Sequence, residues 1–307
     1  MIKLALIGLG KIARDQHVAA IAASEQFELA ATVDPKGPAL PGVPHFPDLP
    51  AMRAALPEIT AAAVCTPPQV RATVAAAAIR AGLHVLLEKP PAASISQARA
   101  LAMAASRGGV SLFAAWHSRE AGGVAPARAW LADRQVRSVN IRWREDVRQW
   151  HPGQAWIWQP GGLGVFDPGI NALSILTALL PGGVMLDRAV LDVPSNCAAP
   201  IAARLELRTD GGACVTADFD FRQTGQQTWE IAIETDAGTL LLEDGGGTLT
   251  LPEGERQTST VSEYAALYAR FAELIAQGES DADLTPFALV ADAFLLGDWR
   301  EVEPFYD

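Results

Sequence analysis

The chain begins with the run that most restricts its fold, Ile2-Lys3-Leu4-Ala5-Leu6-Ile7-Gly8-Leu9-Gly10-Lys11-Ile12-Ala13. A short apolar stretch ends in Gly8-x-Gly10-x-x-Ala13 and passes into an amphipathic segment from Ile12 to Ala23. The pattern predicts a strand, a tight turn and a helix. Gly8 lets the chain reverse, Gly10 has no side chain to hold a pyrophosphate off the backbone, and Ala13 lets helix and strand pack closely. The helix start offers free N–H groups and the positive end of its dipole. A second predicted strand, Phe27 to Val33, ends in Asp34, roughly 20 residues beyond the turn, where a carboxylate would meet a ribose. A glycine pattern alone is weak, because Gly-rich turns are common; in this context it points to a dinucleotide.

Strand and helix patterns alternate as far as residue 118. Apolar strands are expected at Ala61–Cys65, His84–Leu87 and Val110–Ala115, with helices at Gln69–Ala81 and from Ser94 to Ser106. Continuous apolar strands separated by helices imply a parallel sheet covered on both faces, with ligands beyond the strands' carboxyl ends. Those ends carry Gly8, Asp34, Thr66, Lys89 and His117. From about residue 136 the period changes to two: Val139, Ile141, Trp143; then Ile201, Ala203, Leu205, Leu207; then Ala213, Val215, Ala217, Phe219, Phe221; then Trp229, Ile231, Ile233. Such runs predict a mostly antiparallel sheet with one polar face. Helices are expected at Pro168–Leu180, Glu263–Gln277 and Pro286–Leu295. The expected organisation is a doubly wound α/β Rossmann domain over residues 1–118 and an α+β domain with a large open sheet over 119–307, the latter for substrate binding and oligomerisation.

A length of 307 residues fits two domains. A formal charge of −11 argues against nucleic acid or an anionic membrane as partner, and no apolar run is long enough to span a bilayer. The first residues are needed as a strand and do not read as a signal peptide. Cys65, Cys197 and Cys214 show no metal-like spacing, so reduced thiols in a cytoplasmic protein without a metal are expected.

Two places stand out chemically. Lys89 follows a buried strand and precedes Pro90 and Pro91, an odd location for a merely solvated charge; the bond before Pro90 suits a cis form. Further on, Gly161-Gly162-Leu163-Gly164-Val165-Phe166-Asp167-Pro168-Gly169-Ile170-Asn171 leads from glycines to an acid at a helix start. Spacing of i, i+4 puts Asp167 and Asn171 on one helix face. The plain alternatives are an N-cap for Asp167 and a satisfied amide for Asn171.

Together Gly8-x-Gly10-x-x-Ala13, Glu88-Lys89-Pro90 and the Gly161…Asp167 pattern resemble the glucose–fructose oxidoreductase / inositol dehydrogenase family over essentially the whole chain. The resemblance implies an N-terminal domain that binds NAD or NADP and a second domain that holds a sugar or polyol. Most members carry histidine where Asn171 stands, and asparagine cannot accept a proton. The strings Trp143 to Trp158, Lys11 to His17 and Val193 to Cys197 are similar to a bacterial subgroup that oxidises C1 of D-galactose or L-arabinose to the aldonolactone, in which an Asp-x-x-x-Asn form is expected. By that resemblance the dinucleotide meets Gly8, Gly10, Lys11, Ile12, Asp34, Thr66, Pro67, Glu88, Lys89 and His117. Asp167 is the proton acceptor or relay, Lys89 the positive group beside the developing alkoxide, and Asn171 a hydrogen-bond partner of the C1 oxygen. Glu145 and His151 bind ring hydroxyls, with Trp150 or Trp229 against an apolar sugar face. NAD is expected with NADP tolerated; D-galactose, D-fucose and L-arabinose are expected substrates, and a homodimer or homotetramer the assembly. A glucose–fructose-type oxidoreductase with tightly held NADP and a non-catalytic dinucleotide sensor stay open as alternatives, since a fold does not fix a function.

Overall fold

The structure is a computed structural model that describes residues 1–180, 182–259 and 262–306. The chain forms two compact units, Met1–Trp116 with Ser262–Leu284, and His117–Val261 with Thr285–Asp307.

In the first unit β1 (Ile2–Ile7), α1 (Val18–Ala22), β2 (Phe27–Val33), β3 (His45–Phe46) and α2 (Leu49–Ala55) precede β4 (Ala61–Val64), α3 (Pro68–Arg80), β5 (His84–Leu87), α4 (Ile95–Gly108) and β6 (Leu112–Ala114). Among the described residues the strands form one six-stranded sheet in the order β3-β2-β1-β4-β5-β6, and every pairing is parallel. This is the doubly wound arrangement expected from the alternation. Its central strands are apolar throughout because helices cover both faces; Ala61 to Val64 are fully buried. Helix starts follow local chemistry: Ser94 accepts the Gln97 N–H ahead of α4, and Pro68 opens α3, where a missing N–H costs nothing. The segment expected to be helical from Ile12 is helical there and widens into a π-type turn, Ala13–His17, before α1.

The second unit contains α5 (Val124–Leu131), β7 (Val136–Arg144), α6 (Val147–Trp150), α7 (Phe166–Leu179), β8 (Val184–Pro194), β9 (Ala202–Thr209), β10 (Cys214–Asp220), β11 (Thr228–Thr235), β12 (Gly238–Glu243), β13 (Thr248–Thr250) and β14 (Arg256–Thr258). Then α8 (Glu263–Gln277) precedes α9 (Thr285–Leu296) and β15 (Asp298–Val302). The described strands form a nine-stranded sheet, β14-β13-β12-β11-β7-β10-β9-β8-β15, antiparallel except at β7–β10 and β8–β15. One face packs on α7 through residues such as Phe219, whose ring meets Phe166 at 5.7 Å. The other face is charged, with pairs such as Arg142–Glu230 and Arg208–Asp187.

Residues 262–284, expected with the second domain, pack with the first unit instead. Helix α8 turns a stripe of Tyr264, Leu267, Tyr268, Phe271 and Leu274 into the core that holds Phe27 and Phe113. Each such side chain contributes about 1.5–3 kcal/mol on burial. The stripe is legible in the sequence, but nothing local says which sheet it covers.

Candidate active site

In the first unit the carboxyl ends of the parallel strands gather Gly8, Asp34, Thr66, Glu88 and Lys89 at one edge. Gly8 has φ of 90°, and a Cβ there would meet the Thr66 backbone nitrogen at 2.8 Å, so only glycine makes this turn. At Gly10 a Cβ would project into open space, with nothing within 4 Å. The second glycine is therefore not required by the protein's own packing; its bare backbone faces room for a ligand. Asp34 accepts the Leu9 N–H at 2.7 Å through Oδ2 and those of Lys36 and Gly37 at 2.7 and 2.8 Å through Oδ1. Partial burial alone would raise its carboxyl, but these three N–H donors hold it below the ordinary aspartate value. Each carboxylate oxygen can accept twice, so Oδ2 retains a lone pair for a ribose hydroxyl. The Thr66 hydroxyl is buried and without a hydrogen-bond partner. An open cradle over Gly10, an orphaned hydroxyl and a clamped carboxylate fit a nicotinamide dinucleotide. Lys11 pairs with Asp15 one helical turn on, Ile12 precedes the π-type turn, and Pro67 is exposed.

Below Lys89 lies a buried polar cluster, and it turns Glu88, expected at the dinucleotide, into the interior instead. His17 is fully buried, with Nδ1 2.8 Å from the Tyr268 hydroxyl and Nε2 2.9 Å from Glu88 Oε1. The Tyr264 hydroxyl donates to the same oxygen at 2.8 Å, and Glu88 Oε2 accepts the Lys89 backbone N–H at 2.9 Å. Burial opposes the charged imidazole, but Cys65, Tyr268 and Glu88 outweigh it and raise His17 well above its usual value. Burial and the Glu88 charge raise the Tyr264 hydroxyl, which stays a donor. Arg71, also buried, donates Nε to the Thr66 carbonyl at 2.9 Å and Nη1 to the carbonyls of Glu88 and Pro90. The Lys89–Pro90 bond is cis. The other first-unit histidines are structural: His45 pairs with the Thr32 hydroxyl and His84 accepts the Ser111 N–H.

The second unit carries its own cluster. Val165 occupies the N-cap of α7 and makes no side-chain cap, so Asp167 sits inside the first turn and is not the cap. Close packing sets that entry: a Cβ at Gly164, where φ is 54°, would fall 2.2 Å from the Pro200 carbonyl oxygen. Asp167 is buried, and Asn171, one turn on, has an amide without a hydrogen-bond partner among the described residues. Glu145, at the end of β7, is buried; its Oε2 accepts the Trp229 indole N–H at 2.8 Å and its Oε1 meets His151 Nε2 at 2.9 Å. His151 follows α6, and its Nδ1 lies 3.6 Å from Asp167 Oδ2. Trp150, 41 % exposed, sets its ring edge-on to Trp229 at 5.1 Å. The structure thus brings together Glu145, His151, Asp167, Trp150 and Trp229. His117, expected at the dinucleotide, opens this second unit in a 3-10 turn with Nδ1 3.3 Å from the Ser118 hydroxyl. Among the described residues no three His, Cys, Asp or Glu side chains are grouped to hold a metal, and no helix is long and apolar enough to cross a membrane.

Residues 2–115 match the model of an oxidoreductase family with an NAD-binding Rossmann fold. Galactose 1-dehydrogenase of Pseudomonas fluorescens is 48% identical, with 100% of this chain and 99% of that protein covered. The crystal structure of D-galactose-1-dehydrogenase from Rhizobium etli superposes with a TM-score of 0.95 at 49% identity, covering 99% of this chain and 98% of that one. A 3-ketoreductase from Actinomadura kijaniata in complex with NADP and TDP-benzene has a TM-score of 0.86 at 18% identity, covering 98% and 99%, which is a likeness of fold alone.

Proposed function

This chain belongs to the glucose–fructose oxidoreductase / inositol dehydrogenase family of oxidoreductases, and from that premise we propose that it oxidises C1 of D-galactose to the aldonolactone. It is a sugar dehydrogenase. The observation that carries the galactose reading is the likeness at 48–49% identity to two galactose 1-dehydrogenases over the whole chain, both compact units included.

Gly8, Gly10, Asp34 and Thr66 would hold the dinucleotide, which when bound supplies the hydride acceptor. Lys89 places a positive charge for the alkoxide that develops on C1. Asp167 takes the proton of the C1 hydroxyl, and Asn171 donates to the C1 oxygen from an amide with no hydrogen-bond partner among the described residues. Glu145 keeps lone pairs on both oxygens for ring hydroxyls, and the Trp150–Trp229 pair offers an apolar face to the sugar.

A site that grips the C2, C3 and C4 hydroxyls separates galactose from L-arabinose and D-fucose weakly, since those sugars differ from it only at the exocyclic carbon. Such a group changes discrimination by about 1–3 kcal/mol. Inverting C4, as in D-glucose, leaves buried polar groups unpaired and costs several decades. An aldose panel with each cofactor, followed by nicotinamide absorbance, tests this; equal kcat/KM for glucose and galactose would refute it.

For the cofactor, the Asp34 carboxylate repels a 2′-phosphate and accepts ribose hydroxyls, so NAD is favoured; Lys36, two residues on, pairs with a 2′-phosphate well enough for NADP to be used. Asp34→Ser should move the NAD/NADP ratio of kcat/KM towards NADP by about 10-fold, the worth of one charged contact. An unchanged ratio removes Asp34 from cofactor choice. Acting in the cytoplasm as a homodimer or homotetramer completes the reading, supported by the free thiols of Cys65 and Cys214 and by the broad sheet face.

A further inference from the structure

Asn171 leaves this site without an imidazole on α7, and a different element supplies one. The single turn of α6 is capped by Asp146, which accepts the Arg148 N–H at 3.0 Å, and the His151 N–H closes that turn on the Val147 carbonyl at 2.8 Å. This returns the His151 ring over Phe221, centroids 5.4 Å apart, and sets it between two acids. Nε2 faces Glu145 Oε1 at 2.9 Å and Nδ1 faces Asp167 Oδ2 at 3.6 Å.

The partners fix which nitrogen holds the proton. The Trp229 indole N–H can only donate, so Glu145 Oε2 is an acceptor. With Glu145 as a carboxylate, Oε1 accepts as well, from His151 Nε2–H. Nδ1 is then a lone pair directed at Asp167. Nε2 is thereby committed to Glu145, and Nδ1 is the ring nitrogen left to take up a proton.

We propose that His151 is the proton relay of this site, acting through Asp167. As C1 becomes a carbonyl carbon, the O–H bond of its hydroxyl breaks and Asp167 Oδ2 gains the proton. That O–H bond on Asp167 then breaks and an N–H bond forms at His151 Nδ1, regenerating the aspartate. The imidazolium is stabilised by Glu145 and releases one proton to water, since the His151 side chain keeps 14% of its surface exposed against 5% for Asp167. Asn171 is thereby relieved of any proton chemistry, and α7, with an amide one turn after its carboxylate, still serves a base-catalysed oxidation.

The inference rests on the reading of the chain as an aldose 1-dehydrogenase. The test uses the full-length enzyme with D-galactose and NAD. His151→Gln retains a donor for Glu145 and cannot take up a proton; kcat should fall about 100-fold while KM moves less than about 3-fold. His151→Ala should fall comparably, and imidazole added to the buffer should restore kcat in a concentration-dependent way. A His151→Gln enzyme that keeps its kcat and raises KM makes His151 a sugar ligand and overturns the relay. Failure of imidazole to rescue a folded His151→Ala protein, with cofactor binding intact by nicotinamide fluorescence, overturns it too. If His151→Ala does not fold, His151→Gln decides alone. A wild-type protein that oxidises no aldose at all overturns the function itself, a result separable from loss of the relay.

Discussion

The molecule contains the same pair twice. In the first unit His17 and Glu88 meet at 2.9 Å with side-chain exposures of 0% and 2%; in the second, His151 and Glu145 meet at 2.9 Å with 14% and 6%. What differs is what closes the circle. Two tyrosine hydroxyls complete the first pair, Tyr268 on the imidazole and Tyr264 on the carboxylate, and the Lys89 N–H takes the last oxygen. A carboxylate stands at the open end of the second, whose imidazole keeps an exposed edge. An imidazole–carboxylate pair enclosed by groups that hold their protons near neutrality is a brace. The same pair with an acid on its free nitrogen and an exposed edge can pass a proton.

The largest effects should come from the residues that each pair serves. Lys89→Met and Asp167→Ala should each lower kcat about 100-fold or more while cofactor binding persists, because the lost charge acts mainly in the transition state. Initial rates of nicotinamide reduction and a separate binding titration check this; near-normal kcat in either variant would end that residue's assigned role. Next in size is stability. Glu88→Ala orphans His17 and Tyr264 in a dry interior and should cost about 2 kcal/mol or more, whereas Glu145→Ala, whose partners touch water, should cost less and act chiefly on KM. Denaturant unfolding of the two variants measures the order, and a reversed order would erase the distinction between brace and relay.

The smallest effect is a pH dependence confined to the first pair. The folded-state value of His17 is raised, so its contribution to stability is fully present below the unfolded value of about 6.5 and is lost as pH rises through the raised value. Wild-type unfolding free energy should fall as pH rises above about 6.5, where the unfolded histidine has lost its proton and the folded one still holds it. Glu88→Gln should flatten that slope; an unchanged slope would remove the pair as its cause.

These two pairs also mark how far the sequence could be read. The dinucleotide turn, Asp34, Lys89 and the Asp167–Asn171 face were legible because each is set by local spacing. The strand alternation around Val139 and Phe219 was legible for the same reason. The brace was not, since His17 and Tyr268 lie 251 positions apart and no local period links them. Arg71 was hidden in an ordinary helical pattern; its only signal was the neighbouring prolines, whose loops lack N–H groups and leave carbonyls needing side-chain donors. The sequence points to His151 as a sugar ligand, but its position between two acids depends on how α6 and α7 meet β7.

Helix α8 carries a consequence for the order in which the protein is made. The sheet of the first unit is synthesised by residue 116, yet its cover over Phe27 and Phe113 begins at residue 262. At about 5–20 residues per second, an emerging chain waits on the order of ten seconds with that apolar face covered only in part, by the segment of α1. A fragment ending at residue 118 should therefore bind a hydrophobic dye and aggregate. Supplying residues 262–284 on the same chain should suppress both; dye binding that is low without them would show that the sheet is sealed before translation reaches its lid.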